Sequence, residues 1–144
     1  MYEKEIQAMI EAAKKAELHI ISVYNPPFEA DDSPVTEADK GADEIIRAEL
    51  GQLFPDYGFL TEESQDTGER LKKRCIFIVD PVDGTKEFVS RNGQFTTNIA
   101  LVVDHEVVAG VINVPMLQKL YYAVKGQGAY RINPDGSVDA THVS

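Results

Sequence analysis

Cysteine is all but missing from this chain. Cys75 stands alone among 144 residues, which rules out an internal disulfide and any cysteine-based zinc site. We expect it as a small buried core residue, in keeping with a reducing cytoplasm. Tryptophan is absent altogether. No apolar run approaches the length that a bilayer span requires, and the opening Met1-Tyr2-Glu3-Lys4-Glu5 has no signal-peptide character, so a cytoplasmic protein without membrane insertion is expected. Positive charge is scarce too. Fourteen Lys and Arg stand against 24 Asp and Glu, and none lies between Lys15 and Lys40. The net charge of -10 leaves nucleic-acid polymers and anionic membranes without a basic face to meet. An acidic protein holds a phosphate only where metal ions or aimed backbone N–H groups reverse the local field.

What is present is a pattern of two helices followed by strands. Ile6, Ile10, Ala13 and Ile20 recur at helical spacing over 3–23, and Asn25-Pro26-Pro27 ends that run. A second helix is expected to start near Thr36, where Thr36-Glu37-Ala38-Asp39 resembles a capping box, and to run through Ile45, Ile46 and Leu50 to just before Pro55. Strands are expected at 58–62, 75–80, 96–103, 107–114, 119–124 and near 129–132. Asp104-His105-Glu106 and Gly126-Gln127-Gly128 read as hairpin turns, and residues 85–91 as a short helix. The fold class is therefore α+β, two N-terminal helices packed on a mainly antiparallel sheet.

The stretch that carries chemistry is Asp80-Pro81-Val82-Asp83-Gly84-Thr85. It follows the apolar run Cys75-Ile76-Phe77-Ile78-Val79, so two carboxylates and a hydroxyl arrive at the end of a buried strand, next to a tight Asp-Gly turn. Glu62-Glu63 ends another short apolar run, Gly58-Phe59-Leu60. The plain alternative is that Pro-Val-Asp-Gly simply makes a turn, where Asp is common. Crowded like charges are costly without a cation between them, and oxygen-only ligands suit magnesium or manganese rather than zinc. Two such ions about 4 Å apart form the clamp expected for in-line displacement at phosphorus. Covalent alternatives fail on residue identity. An aspartyl-phosphate enzyme of the haloacid dehalogenase type wants Asp-x-Asp-Gly-Thr, and here the partner position is Pro81. A cysteine-phosphatase loop wants Arg six residues after Cys75, and that position is again Pro81. His19, His105 and His142 share no useful spacing.

The run Val79-Asp80-Pro81-Val82-Asp83-Gly84-Thr85-Lys86-Glu87-Phe88, with Thr61-Glu62-Glu63 upstream, resembles the inositol monophosphatase superfamily of metal-dependent phosphatases. Its continuation Arg91-Asn92-Gly93-Gln94-Phe95-Thr96-Thr97-Asn98-Ile99-Ala100 and the segment Ser33-Pro34-Val35-Thr36-Glu37-Ala38-Asp39 are similar to 3'(2'),5'-bisphosphate nucleotidases of the CysQ type. The resemblance implies two or three Mg2+ ions. Glu62, Asp80 and the Val82 carbonyl would hold one, and Asp80 and Asp83 would share another. The N–H groups of Gly84 and Thr85 would take phosphate oxygens, and Asp39 with Thr85 would accept a proton from the attacking water. Glu62, Val82, Asp83, Gly84 and Thr85 would thus line the substrate. Glu63 reads equally as a support for the ions or as a solvated acid, and Asp39 alone would read as a helix first-turn acid.

The implied substrate is a small phosphorylated nucleotide or sugar, adenosine 3',5'-bisphosphate before inositol monophosphate. A non-catalytic metal-binding fragment is the other reading. The resemblance also implies a layered αβαβα sugar-phosphatase fold, of which residues 1–144 would be a single domain, the N-terminal portion. The C-terminal α/β portion, with its Trp-Asp segment, would be absent, and activity weak or missing. The meander would then expose apolar side chains such as Val102, Val111 and Tyr121, a face that invites a homodimer.

Overall fold

A computed structural model describes residues 2–24, 33–61, 73–83 and 95–141. Helix α1 spans Glu3–Tyr24 and helix α2 spans Ser33–Leu53. α2 begins three residues before the expected Thr36. Ser33-Pro34 explains the difference, because proline's fixed φ and missing N–H suit a first helical turn. Seven strands follow: β1 Gly58–Thr61, β2 Cys75–Asp83, β3 Thr96–Val103, β4 Glu106–Val114, β5 Lys119–Val124, β6 Gly128–Ile132 and β7 Val138–Thr141. They form one sheet in sequence order, parallel between β1 and β2 and antiparallel elsewhere. The α+β expectation holds.

Both helices cover one face of the sheet. Along β3 the pleat buries Thr97, Ile99, Leu101 and Val103 toward them and turns Asn98, Ala100 and Val102 the other way. The core joins Met9, Ala13, Ile20, Ile46 and Leu50 to Phe77, Val79, Phe95, Ile99, Leu101 and Val111. Phe54, Tyr57 and Phe59 ring Phe77 with centroids 5.8, 5.3 and 5.6 Å away, closing the β1 edge. Cys75, expected in the core, is half-buried beside it.

Three sequence expectations need correction. β2 does not stop at Asp80 but runs to Asp83, through a register shift on β3 between those two acids. A proline that cannot donate to the ladder sits at this irregularity, where sheets tolerate it. Val111 is not on the open face. It is 1% exposed and faces the helices, because it pairs with buried Ile99, and cross-strand partners share a face. On the open side Ile78, Val107 and Ile112 are exposed, while Val102 and Tyr121, expected to be exposed there, are half-buried. Last, β7 has no counterpart in the sequence reading. The expected short helix at 85–91 lies outside the described residues.

Candidate active site

The acid-bearing segment is shaped by the break in the ladder. β2 pairs with β3 regularly up to Asp80 opposite Asn98, and pairing resumes only at Asp83 opposite Thr96. Residues 81–83 are each held by a side chain from a different position. The buried Thr97 hydroxyl donates to the Pro81 carbonyl at 2.7 Å. The Val82 N–H donates to Asp39 Oδ1 at 3.2 Å, 43 residues away in sequence. Asn98 Nδ2 donates to Asp83 Oδ2 at 3.0 Å, while Asn98 Oδ1 accepts from the Thr96 hydroxyl at 3.2 Å. Thr97 and Asp39 thus give the Pro81 carbonyl and the Val82 N–H the partners that buried backbone groups require.

Asp39 reaches the segment because α2 lies against β2, so a carboxylate on that face points at the bulge. It is 8% exposed, and an acid so placed needs donors around it. Asp80 is half-buried on the face away from the helices, and Asp83 is exposed at the strand end. β1 runs parallel to β2 with Thr61 beside Val79, so the chain leaves β1 at the same end of the sheet at which β2 carries its acids. The next residue in sequence, Glu62, lies outside the described residues, as do Glu63, Gly84, Thr85 and Lys86.

Of the expected site residues, the structure brings Asp39 to the Val82 N–H, while the neighbouring Asp83 is held separately by Asn98 and Asp80 stands three residues earlier on the same strand. Among the described residues no three acids, histidines or cysteines group closely enough to hold a metal ion by themselves. Asp80, Asp83 and the main chain between them nevertheless present oxygen donors only, which fits a hard divalent cation and fits zinc poorly. Thr96, Thr97 and Asn98 were missed as site residues in the sequence reading. Their signal was a polar triplet opening an otherwise apolar strand. Arg74 meets Asp104 through both carboxylate oxygens at 3.0 and 3.2 Å, so this cation braces the β3–β4 hairpin and stands apart from the acids.

Comparison with known proteins follows the same line. A model of the inositol monophosphatase family matches residues 1–142. This chain belongs to that family. It is 39% identical over 132 residues to the 3'(2'),5'-bisphosphate nucleotidase CysQ of Aggregatibacter actinomycetemcomitans, covering 88% of this chain and 49% of that one. It is 42% identical over 100 residues to a histidinol-phosphatase of Chlorobaculum parvum, covering 69% of this chain and 38% of that one. The crystal structure of CysQ from Bacteroides thetaiotaomicron, a bacterial inositol monophosphatase family member, superposes with a TM-score of 0.84 at 42% identity, over 99% of this chain and 54% of that one. The chain thus spans about half the length of the relatives it matches. Among the described residues no helix is long and apolar enough to cross a membrane.

Proposed function

We propose that this chain carries the acid-bearing part of a Mg2+-dependent phosphate monoester hydrolase, a 3'(2'),5'-bisphosphate nucleotidase acting on the 3'-phosphate of adenosine 3',5'-bisphosphate. The observation that carries the reading is the pinning of residues 81–83 by Asp39, Thr97 and Asn98, which holds an acidic strand end in one shape. The CysQ relatives at 39% and 41% identity support the choice of substrate class. In this reading Glu62, Asp80, Asp83 and the Val82 carbonyl hold two or three Mg2+ ions. Bound there, the ions supply positive charge for the phosphoryl oxygens and lower the pKa of water. The N–H groups of Gly84 and Thr85 bind phosphate oxygens. Water adds to phosphorus in line as the bond to the ester oxygen breaks, the water's proton passes to the Thr85–Asp39 pair, and the leaving oxygen takes a proton from a solvent water to depart as the hydroxyl. No phosphoenzyme forms. We further take residues 1–144 as one domain, the N-terminal portion of a longer layered fold, with weak or no turnover on their own. We take the protein as cytoplasmic, and as able to pair with a second copy through its apolar sheet face.

Phosphate release from adenosine 3',5'-bisphosphate and from inositol monophosphate, with and without Mg2+, tests the proposal. The nucleotide should be the better substrate, and Asp80→Asn should abolish both metal binding and turnover. Retained Mg2+-dependent turnover in that variant refutes the assignment. Measurable calorimetric Mg2+ binding with no turnover on either compound leaves residues 1–144 as a metal-binding fragment, the outcome expected if turnover needs the rest of the longer fold. The histidinol-phosphatase relative makes histidinol phosphate the third compound to assay.

A further inference from the structure

We propose that Asn98 is a positioning residue that aims the Asp83 carboxylate, and that Thr96 acts only by fixing the Asn98 amide. The inference rests on the reading of Asp83 as an ion ligand. Asp83 is an exposed side chain at a strand end, a place where a carboxylate ordinarily samples several rotamers. Asn98 removes that freedom by donating Nδ2–H to Oδ2 at 3.0 Å. The amide has no choice of orientation. A carboxylate only accepts, so the NH2 end must face Asp83, and the carbonyl end then faces the Thr96 hydroxyl, which donates to it at 3.2 Å. Asn98 is also the ladder partner of Asp80. One neutral amide therefore stands against both acids of the segment, giving a donor to one and adding no charge beside the other. An acid at this position would crowd a third carboxylate into the group, and an aliphatic residue would leave Asp83 without its donor.

Calorimetric titration of the 144-residue chain with Mg2+ tests this. Variants are Asn98→Ala, Thr96→Val, the double variant and Asp83→Ala, each checked for thermal unfolding. Asn98→Ala should weaken Mg2+ binding about 10- to 100-fold, the usual effect of removing a hydrogen bond that orients a ligand. Thr96→Val should weaken it less, and the double variant should bind no more weakly than Asn98→Ala alone. Thr96→Val keeps size and backbone pairing, so it decides the matter if Asn98→Ala does not fold. Wild-type affinity in both single variants overturns the inference, and so do losses that add in the double variant, which would mean independent structural effects. If Asp83→Ala loses affinity while the Asn98 and Thr96 variants do not, the ligand reading stands and only the positioning role falls. If Asp83→Ala binds like wild type, or the wild type binds no Mg2+, the ligand reading fails and this inference with it.

Discussion

On α1, Glu17 is half-buried and its Oε1 accepts the Nδ2–H of Asn113 at 3.2 Å. Burial raises its carboxyl pKa above the ordinary glutamate value of 4.5, with the Asn113 hydrogen bond and Lys14 opposing the shift. The folded state thus binds this proton more tightly than the unfolded chain does. Glu17's contribution to stability is full below pH 4.5 and declines as pH rises through its folded pKa. Glu17→Gln keeps the size and an acceptor for Asn113, and should be more stable than wild type at pH 7. Thermal unfolding at pH 7 and pH 4 checks this: the advantage should shrink or vanish at the lower pH. A variant no more stable than wild type at pH 7 contradicts it. Such single residues were not readable in advance. Nothing in the local sequence around Glu17 announces Asn113, 96 residues away, and nothing around Asn98 announces Asp83.

Between elements, the close approach of α1 and α2 depends on small side chains. Ala8, Ala12, Ala13 and Ala16 on one helix and Ala38 and Ala42 on the other are all buried, which lets the backbones draw near. The tightest point is His19 over Gly41. A Cβ on Gly41 would stand 2.0 Å from His19 Nε2, and that nitrogen lies 3.1 Å from the Glu37 carbonyl. A carbonyl only accepts, so Nε2 carries the hydrogen here. Gly41→Ala must turn the ring away and break that bond, and because the ring is the free end of a half-buried side chain this cost works against the roughly 1 kcal/mol by which Ala favours a helix interior over Gly. Urea denaturation should show Gly41→Ala to fall short of that gain or to lose stability, and to deliver it when made in a His19→Ala background, because the two sites share one contact. Full additivity in the double variant would mean that the ring is not what Gly41 accommodates.

The elements themselves were largely legible. Helical apolar spacing located α1, and the strands expected at 96–103 and 119–124 match β3 and β5 to the residue. β2 was read three residues short, because Pro81 looks like a terminator until tertiary partners on β3 and α2 hold the residues around it. β7 was missed because Val138-Asp139-Ala140-Thr141 is short and mostly exposed. It forms through pairing with β6, helped by Asp139 accepting from Arg131 at 3.2 Å and Asn133 at 2.8 Å.

At the scale of the whole molecule, the two faces of the sheet differ. One is buried under both helices. The other is an open depression of about 570 Å³, lined by Ile78, Ala100, Gly110, Ile112, Tyr121 and Ala123 and reaching Asp80 at one end. Ile78 is 37% exposed and Ile112 47%. An apolar face of this kind tends to associate. Sedimentation velocity over rising concentration should show self-association of the wild type, weakened by Ile112→Lys. A wild type that remains monomeric throughout removes the homodimer.

The sequence by itself determined the fold class, the order of nearly all the elements and the strand that carries Asp80 and Asp83, because apolar periodicity and turn residues are local properties. Tertiary structure alone decided which face of each strand is covered, how far β2 extends, and which side chains hold residues 81–83. Those outcomes depend on register and on side-chain partners 15 to 43 residues apart in sequence, where a shift of one residue would exchange the two faces of the sheet.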